Sequence, residues 1–226
     1  MSSQPQWSEF FDRVIDGYLL LDLEAMDRIS MEGYGNCGYP MLLTIFSGAD
    51  LLGGLSSPKW SDDPRKQKKY FKHFLKEYMG YGDENLIQEL RESVRNRLAH
   101  SFLTDNHVMV YKKQLSQAIE RRDNLLNIDA SKLFQEFKTA VSRLKAELNE
   151  DQALSRIFEN NLISMQETYV RNNIKIQFNE PIDVSLSAML MPPSGTGRTS
   201  GASHGFQLKK PLQVIRTDNK KGRGRK

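Results

Sequence analysis

The chain has 226 residues, of which 38% are hydrophobic and 27% are charged, which is typical of a polar globular protein with enough length for a hydrophobic core. Its single cysteine, Cys37, excludes an intrachain disulfide framework and a zinc site built from cysteines. The four histidines lack ligand spacing such as HExxH, so we expect no metal and no other cofactor. The sequence contains no apolar run of membrane-spanning length and no secretory signal pattern, so we expect a cytoplasmic protein with no membrane partner.

Positive charge is concentrated at the C-terminal end. Residues 192–226 contain nine Lys or Arg and one Asp, whereas the 191 residues before them carry 23 basic and 27 acidic groups. Because this tail is rich in Pro, Gly and Ser, we expect it to be disordered and separate from a helical domain at 1–191. An RNA-binding arm, a localisation signal and a passive solvated tail all remain open. The cations that would contact RNA are Lys209, Lys210, Lys220, Lys221, Arg223, Arg225 and Lys226.

Apolar residues recur at helical spacing through most of the remaining chain, which predicts a mainly α fold. Asp83 and Asp129 are placed to cap two of the helices. Gly53 and Gly54 are expected to end another. The predicted helices are, in chain order, about 9–29, 40–54, 65–79, 84–100, 130–148 and 151–166.

Three short segments predict strands, at about 107–111, 125–129 and 169–178. The first two flank a polar stretch, and we expect them to add a small β-hairpin appendage to the helices. The predicted architecture is therefore a helical bundle with a small β-hairpin and a disordered C-terminal tail.

Two apparent motifs have ordinary explanations. Gly33, Gly35 and Gly38 fit GxGxxG, but a helix is predicted before them where a dinucleotide site needs a strand. Tyr70, Phe74 and Tyr78 recur every four residues and could stack on bases, although such a row is more often part of a core.

One group of polar residues remains, in the stretch RNRLAH of the fourth predicted helix. Asn96 and His100 are four residues apart, so the amide could hydrogen-bond one ring nitrogen and orient the other. Arg95 is placed about 140° around the helix from His100, and its guanidinium suits a phosphate. The macrodipole also favours Arg and His near a helix C-terminus, so a purely structural explanation remains open.

The chain contains only one such Arg and His pair. If two copies met across a two-fold axis, one imidazole could take the proton of a ribose 2′-OH while the other protonated the 5′-oxygen. The two arginines would hold the phosphate between them. This arrangement would cleave RNA without a metal.

Residues 39–104 resemble the HEPN superfamily, the higher eukaryotes and prokaryotes nucleotide-binding domain. RNRLAH matches its R-[polar]-x-x-x-H signature, and GYPMLLTIFSGADLLGGL resembles a helix upstream of the motif in plasmid-encoded HEPN families. The resemblance implies a helical bundle and a metal-independent endoribonuclease whose site forms between two copies, usually in a homodimer. It also implies a toxin or antiviral-defence role, with RNA as substrate and an antitoxin or defence-system protein as a possible partner. By this resemblance Arg95, Asn96 and His100 are the catalytic residues.

One departure from the family bears on the partner. HEPN toxins paired with a minimal nucleotidyltransferase carry a tyrosine two residues after the histidine, and the antitoxin modifies it. This chain has Phe102 there, which argues against that pairing and leaves nuclease activity open. The alternatives are an inactive HEPN module that binds nucleotide or RNA, or scaffolds a partner, and a basic-tailed helical adaptor.

Two further residues are expected to support the site. Asp50 is a carboxylate in an apolar helix, and its burial requires a partner, which we expect to be Arg95 or Arg91. An edge position facing water is the other possibility. Arg91 lies one turn before Arg95 and either extends a phosphate track or pairs with Glu84, Glu92 or solvent.

Overall fold

The computed structural model describes residues 5–29, 36–61 and 63–171, which belong to one compact unit. Within these ranges, six helices and three strands confirm the mainly α fold with a small β appendage. The helices are α1 (residues 6–28), α2 (Gly38–Ser56), α3 (Pro64–Glu77), α4 (residues 84–101), α5 (Ala130–Glu150) and α6 (Gln152–Arg171). The strands are β1 (Val108–Tyr111), β2 (Ile119–Arg122) and β3 (Leu125–Asp129).

Helix α2 is the centre of the bundle because it is apolar on nearly every side, which favours burial all round. It packs against the other five described helices. Its fully buried side chains include Met41, Leu42, Ile45, Phe46, Ala49 and Leu52. No helix in the described part of the chain is both long and apolar enough to cross a membrane.

Glycines let neighbouring helices approach α2 closely. A Cβ atom on Gly53 would lie 2.1 Å from the backbone oxygen of Tyr70 on α3, and one on Gly48 would lie 2.7 Å from the ring of Phe137 on α5. The prediction that Gly53 and Gly54 end the helix was wrong, since α2 continues to Ser56. These glycines serve helix packing instead of termination.

Carboxylate caps fix where several helices begin. Asp83 accepts hydrogen bonds from the first backbone N–H groups of α4, and Asp129 does the same for α5, which confirms both predicted caps. Asp129 is fully buried, and it also accepts the backbone N–H groups of residues 113–115. It therefore ties the loop after β1 to the start of α5.

The small sheet has the order β1-β3-β2. The two predicted strands that it contains, β1 and β3, run parallel and so do not form the expected hairpin. The hairpin joins β3 to β2, which was not predicted because its sequence, IERR, is polar and largely exposed. Asp123 and Asn124 form the turn between them, with φ of 50° and 63°, as a tight hairpin turn requires.

Two sequence predictions fall wholly or partly beyond the described residues. The strand expected at 169–178 was wrong at residues 169–171, which continue α6, and residues 172–178 lie outside the described ranges. The basic tail at 192–226 also lies outside them.

Tyr70, Phe74 and Tyr78 are buried, so the aromatic row belongs to the core and not to a base-stacking surface.

We expect Gly53→Ala to lower the free energy of unfolding by about 1–3 kcal/mol, because the added methyl group collides with the backbone of α3. Gly82→Ala is the matched control, since a Cβ there meets nothing within 4 Å. Urea denaturation of the two variants and the wild type measures the difference. Equal stability of the two variants would contradict the close approach.

Acid should destabilise the fold through His73. Burial lowers the pKa of His73 below its ordinary 6.5, and Glu77 and the backbone of Ser56 oppose only part of this shift. Its Nε2 is buried and has no hydrogen-bond partner among the described residues. Because the unfolded chain binds the proton first, the contribution of His73 is constant above about pH 6.5 and is lost as the pH falls toward the lowered folded-state pKa.

The measurement is denaturant unfolding at about pH 7.5 and about pH 5.5. His73→Asn has no imidazole to titrate and should lose less stability between the two pH values than the wild type. His100→Asn, which removes an exposed imidazole with no hydrogen bond in the described part of the chain, is the control. The idea fails if His73→Asn and the wild type show the same decrease.

Candidate functional site

The predicted motif lies on α4, whose winding changes along its length. An α-helical start at Glu84–Glu89 is followed by a π-helical segment at Leu90–Asn96 and an α-helical end at Arg97–Ser101. The apolar side chains of α4 recur every four residues and face the core, with Leu90, Val94 and Leu98 buried and Leu86 partly buried. Wide π turns inside α-helices are frequent at functional sites, and this one ends at Asn96, within the motif.

Arg95 forms an ion pair with Asp50 of the central helix α2. The Nε and Nη2 atoms of Arg95 each lie 2.7 Å from Oδ2 of Asp50. The Asp50 side chain is 23% exposed and that of Arg95 is 35% exposed. Of the two partners predicted for Asp50, Arg95 or Arg91, the structure therefore selects Arg95, and this ion pair holds one side of the guanidinium.

A second contact holds the guanidinium from another side. Nη1 of Arg95 donates a hydrogen bond of 3.1 Å to Oδ1 of Asn96. With Nε and one N–H of each Nη engaged, an arginine still has one N–H on each Nη for a ligand. Arg95 is thus oriented by its neighbours and keeps two N–H donors, which suit a phosphate.

His100 is exposed on the last turn of α4. It forms no hydrogen bond within the described ranges, and the expected bond between Asn96 and His100 is absent there. The segment from Asn96 to His100 has the α-helical spacing that the prediction assumed, but the amide oxygen of Asn96 accepts from Arg95 instead. The imidazole is therefore open to a ligand or a second protein chain, and Asn96 orients Arg95 instead of His100.

Arg91 adds a second positive charge near Asp50. It is half-buried, and its charge acts on the Asp50 carboxyl group. Burial raises the pKa of Asp50, and the charges of Arg95 and Arg91 oppose that shift without overcoming it. Arg91 has no ion pair with any described acid, since Glu84 pairs with lysines of α3 and Glu92 accepts from Gln88. The site therefore carries two arginines and one carboxylate.

The chain after His100 is held back against α4. Phe102 ends the helix in the left-handed conformation, with φ of 58°. The backbone N–H of Asp105 then donates to the carbonyl of Ser93, and the Asp105 carboxylate pairs with Arg97 at 2.7 Å. These contacts fold the segment beside the motif and leave Phe102 and Leu103 exposed, at 54% and 62%.

Glu89 joins the sheet to the motif helix, and the sequence analysis did not identify it. Its carboxylate contacts Nε2 of His107 at 3.0 Å and also pairs with Arg121 of β2. A single acid on a helix gives no sequence signal for such a role, because both partners are distant in the chain. The sheet is in this way docked to the helix that carries Arg95 and His100.

The arrangement suits an anion better than a cation. Two arginines outnumber the single carboxylate between them, which favours a negatively charged ligand. In the described part of the chain, no three or more His, Cys, Asp or Glu side chains gather in a way that could hold a metal ion. The chemistry available at the two arginines is anion binding, and His100 adds an imidazole on the last turn of the same helix.

No family model matches the chain, and no curated protein or solved structure is significantly similar to it. The resemblance to the HEPN superfamily therefore rests on RNRLAH, the helix upstream of it and the helical setting. Membership of that superfamily remains a prediction.

Proposed function

We propose that the protein is a metal-independent endoribonuclease whose active site forms between two copies of the chain. The observation that carries the proposal is the pre-oriented Arg95, held by Asp50 and Asn96, on the same helix as the exposed and unengaged His100. An oriented guanidinium suits the charge that develops on a scissile phosphate. An exposed imidazole suits proton transfer near neutral pH.

In the proposed reaction, the ribose 2′-oxygen attacks the neighbouring phosphorus while His100 of one copy takes the 2′-OH proton. The bond from phosphorus to the 5′-oxygen breaks, and His100 of the other copy protonates that oxygen. The products are a 2′,3′-cyclic phosphate and a 5′-OH end. Arg95 of each copy holds the non-bridging phosphate oxygens, and Arg91 adds positive potential beside them.

The surface around the motif supports contact with a second copy. Phe102 and Leu103 are large apolar side chains that follow the motif helix directly, and both are more than half exposed. Burying such side chains between two chains removes apolar area from water. The same contact would supply the second imidazole that the proton transfers need.

The biological setting follows from the resemblance to HEPN proteins and forms part of the proposal. It is a toxin or antiviral-defence ribonuclease in the cytoplasm, with an antitoxin or another defence protein as partner. Phe102 has no hydroxyl group for nucleotide modification, so such a partner would inhibit by binding. The basic tail at 192–226 would add affinity for RNA.

A non-catalytic module that binds RNA or nucleotide is the second candidate. Two features favour it: the Asp50 carboxylate offsets part of the charge of Arg95, and Asn96 does not orient His100. Such a module would bind RNA through Arg95 without consuming it.

We expect the purified protein to cleave RNA in the presence of EDTA, to leave 2′,3′-cyclic phosphate or 3′-phosphate and 5′-OH ends, and to leave DNA intact. His100→Ala should reduce the rate by about 10²–10⁴-fold, and Arg95→Ala by about 10²–10³-fold. Single-turnover cleavage of a labelled RNA, with analysis of the ends, measures both. Loss of activity in EDTA and its rescue by magnesium would contradict the mechanism.

Control variants distinguish the loss of the proposed site from a general effect of removing a charged side chain. Arg143→Ala removes the same residue type as Arg95→Ala from a surface ion pair and should retain full activity. Asp50→Asn keeps an oxygen for Arg95 and should cost less than Arg95→Ala. If the wild type binds RNA without cleaving it and Arg95→Ala binds RNA more weakly, the second candidate is preferred.

We also expect a homodimer in solution, with the two copies of α4 close to the two-fold axis. Phe102→Ser together with Leu103→Ser should weaken dimerisation and cleavage in parallel, because the substitutions remove apolar contact without touching Arg95 or His100. Ile163→Ser, at another exposed apolar position, is the control. Light scattering and cleavage rates across a concentration series give the comparison, and an active monomer would rule out the composite site.

A further inference from the structure

Helix α3 carries an unusual concentration of positive charge. Its 14 residues include six Lys or Arg and a single acid, Glu77. The 191 residues that contain it have an excess of acids, with 27 acidic groups against 23 basic ones. The positive charge of this helix therefore stands out from a body that is negative overall, and the motif analysis of the sequence did not use it.

The cations form one stripe along the exposed side of the helix. At 100° per residue, five of them fall within an arc of about 100°, over a length of about 16 Å. We call this set the basic stripe: Arg65, Lys68, Lys69, Lys72 and Lys76. The opposite side of α3 is buried in the core through Tyr70, Phe71, Phe74 and Leu75.

Part of the charge on α3 is neutralised within the protein and part is not. Glu84 lies 2.5 Å from Nζ of Lys72 and 3.6 Å from that of Lys76, and Arg65 pairs with Asp63. Lys68 and Lys69, with Lys66 at the edge of the stripe, are exposed and form no ion pair with the acids that the structure describes. Three ammonium groups on the first half of α3 are thus available to an external anion.

We propose that the basic stripe, together with Lys66, is a docking surface for the phosphate backbone of RNA, distinct from the site at Arg95 and His100. The proposal rests on RNA being the ligand of the proposed function and adds a second place where it is held. Charge complementarity supports it. The body of the protein is acidic overall, so the electrostatic attraction of RNA phosphates is strongest where unpaired cations cluster.

The side chains of the stripe indicate which part of RNA is contacted. Lysine is a flexible point charge, suited to phosphate and poorly suited to reading base edges. The aromatic residues of α3 that could stack on bases are buried. Docking should therefore be independent of base sequence. The burial of the apolar side also removes the insertion that amphipathic helices use on membranes.

The test is the salt dependence of RNA binding by the full chain, with His100→Ala in every protein so that the RNA stays intact. Lys66→Gln/Lys68→Gln/Lys69→Gln should weaken binding at low salt and reduce the slope of log affinity against log salt by about 2–3, since each phosphate contact contributes about 0.7–0.9. The loss should be the same for two RNAs of equal length and unrelated sequence.

The control triple is Arg13→Gln/Lys138→Gln/Arg143→Gln, which removes equal charge from cations that pair with acids elsewhere on the surface. Equal slopes for the two triples, or a loss confined to one RNA sequence, would overturn the proposal. The proposal would also be overturned if the α3 triple binds RNA as before but loses binding to vesicles of anionic lipid. If the wild type does not cleave RNA but the α3 triple loses affinity, the nuclease proposal fails and the docking surface stands.

Discussion

The burial of α2 on all sides is the constraint on which the rest of the structure depends. A helix with few polar positions must be surrounded, and the five other described helices supply that cover. Its glycines set how close those helices come, since at Gly53 there is no room for even a methyl group. The positions of α3 and α4, and of the charged side chains that they carry, follow from this packing.

Asp50 is the polar exception on that helix, and it connects the core to the candidate site. A partly buried carboxylate is costly unless it is paired, and here the pair is Arg95. The ion pair that offsets the cost of burying Asp50 also restricts the orientation of a guanidinium near the surface. Pre-orientation of this kind means that a bound phosphate need not organise the arginine itself.

The two proposed sites differ in how their positive charge is balanced and spaced. At Arg95 and Arg91, positive charge is partly balanced by Asp50 and stands on the same helix as an imidazole, which suits chemistry on one phosphate. On α3, the cations of the basic stripe are spread over about three turns, which suits several phosphates held loosely. An RNA held by both would be retained by the second while the first acts on a single bond.

The sequence by itself determined the mainly α fold, the caps at Asp83 and Asp129 and the apolar faces of α4 and α5, because helical periodicity and capping are local properties of the chain. It also predicted that Asp50 pairs with Arg95 or Arg91, since a carboxylate in an apolar helix needs a cation, and the structure selects Arg95. Only the tertiary structure decided that β1 and β3 run parallel, that the polar β2 completes the sheet, and that Glu89 docks the sheet on α4. The first and the last of these depend on partners far apart in sequence, whereas β2 pairs with its neighbour in the chain but has a polar sequence that gives no strand signal. The orientation of Asn96 toward Arg95 belongs with them, because the helix allows this amide to contact either His100 or the neighbouring arginine, and only the packed structure decides between the two.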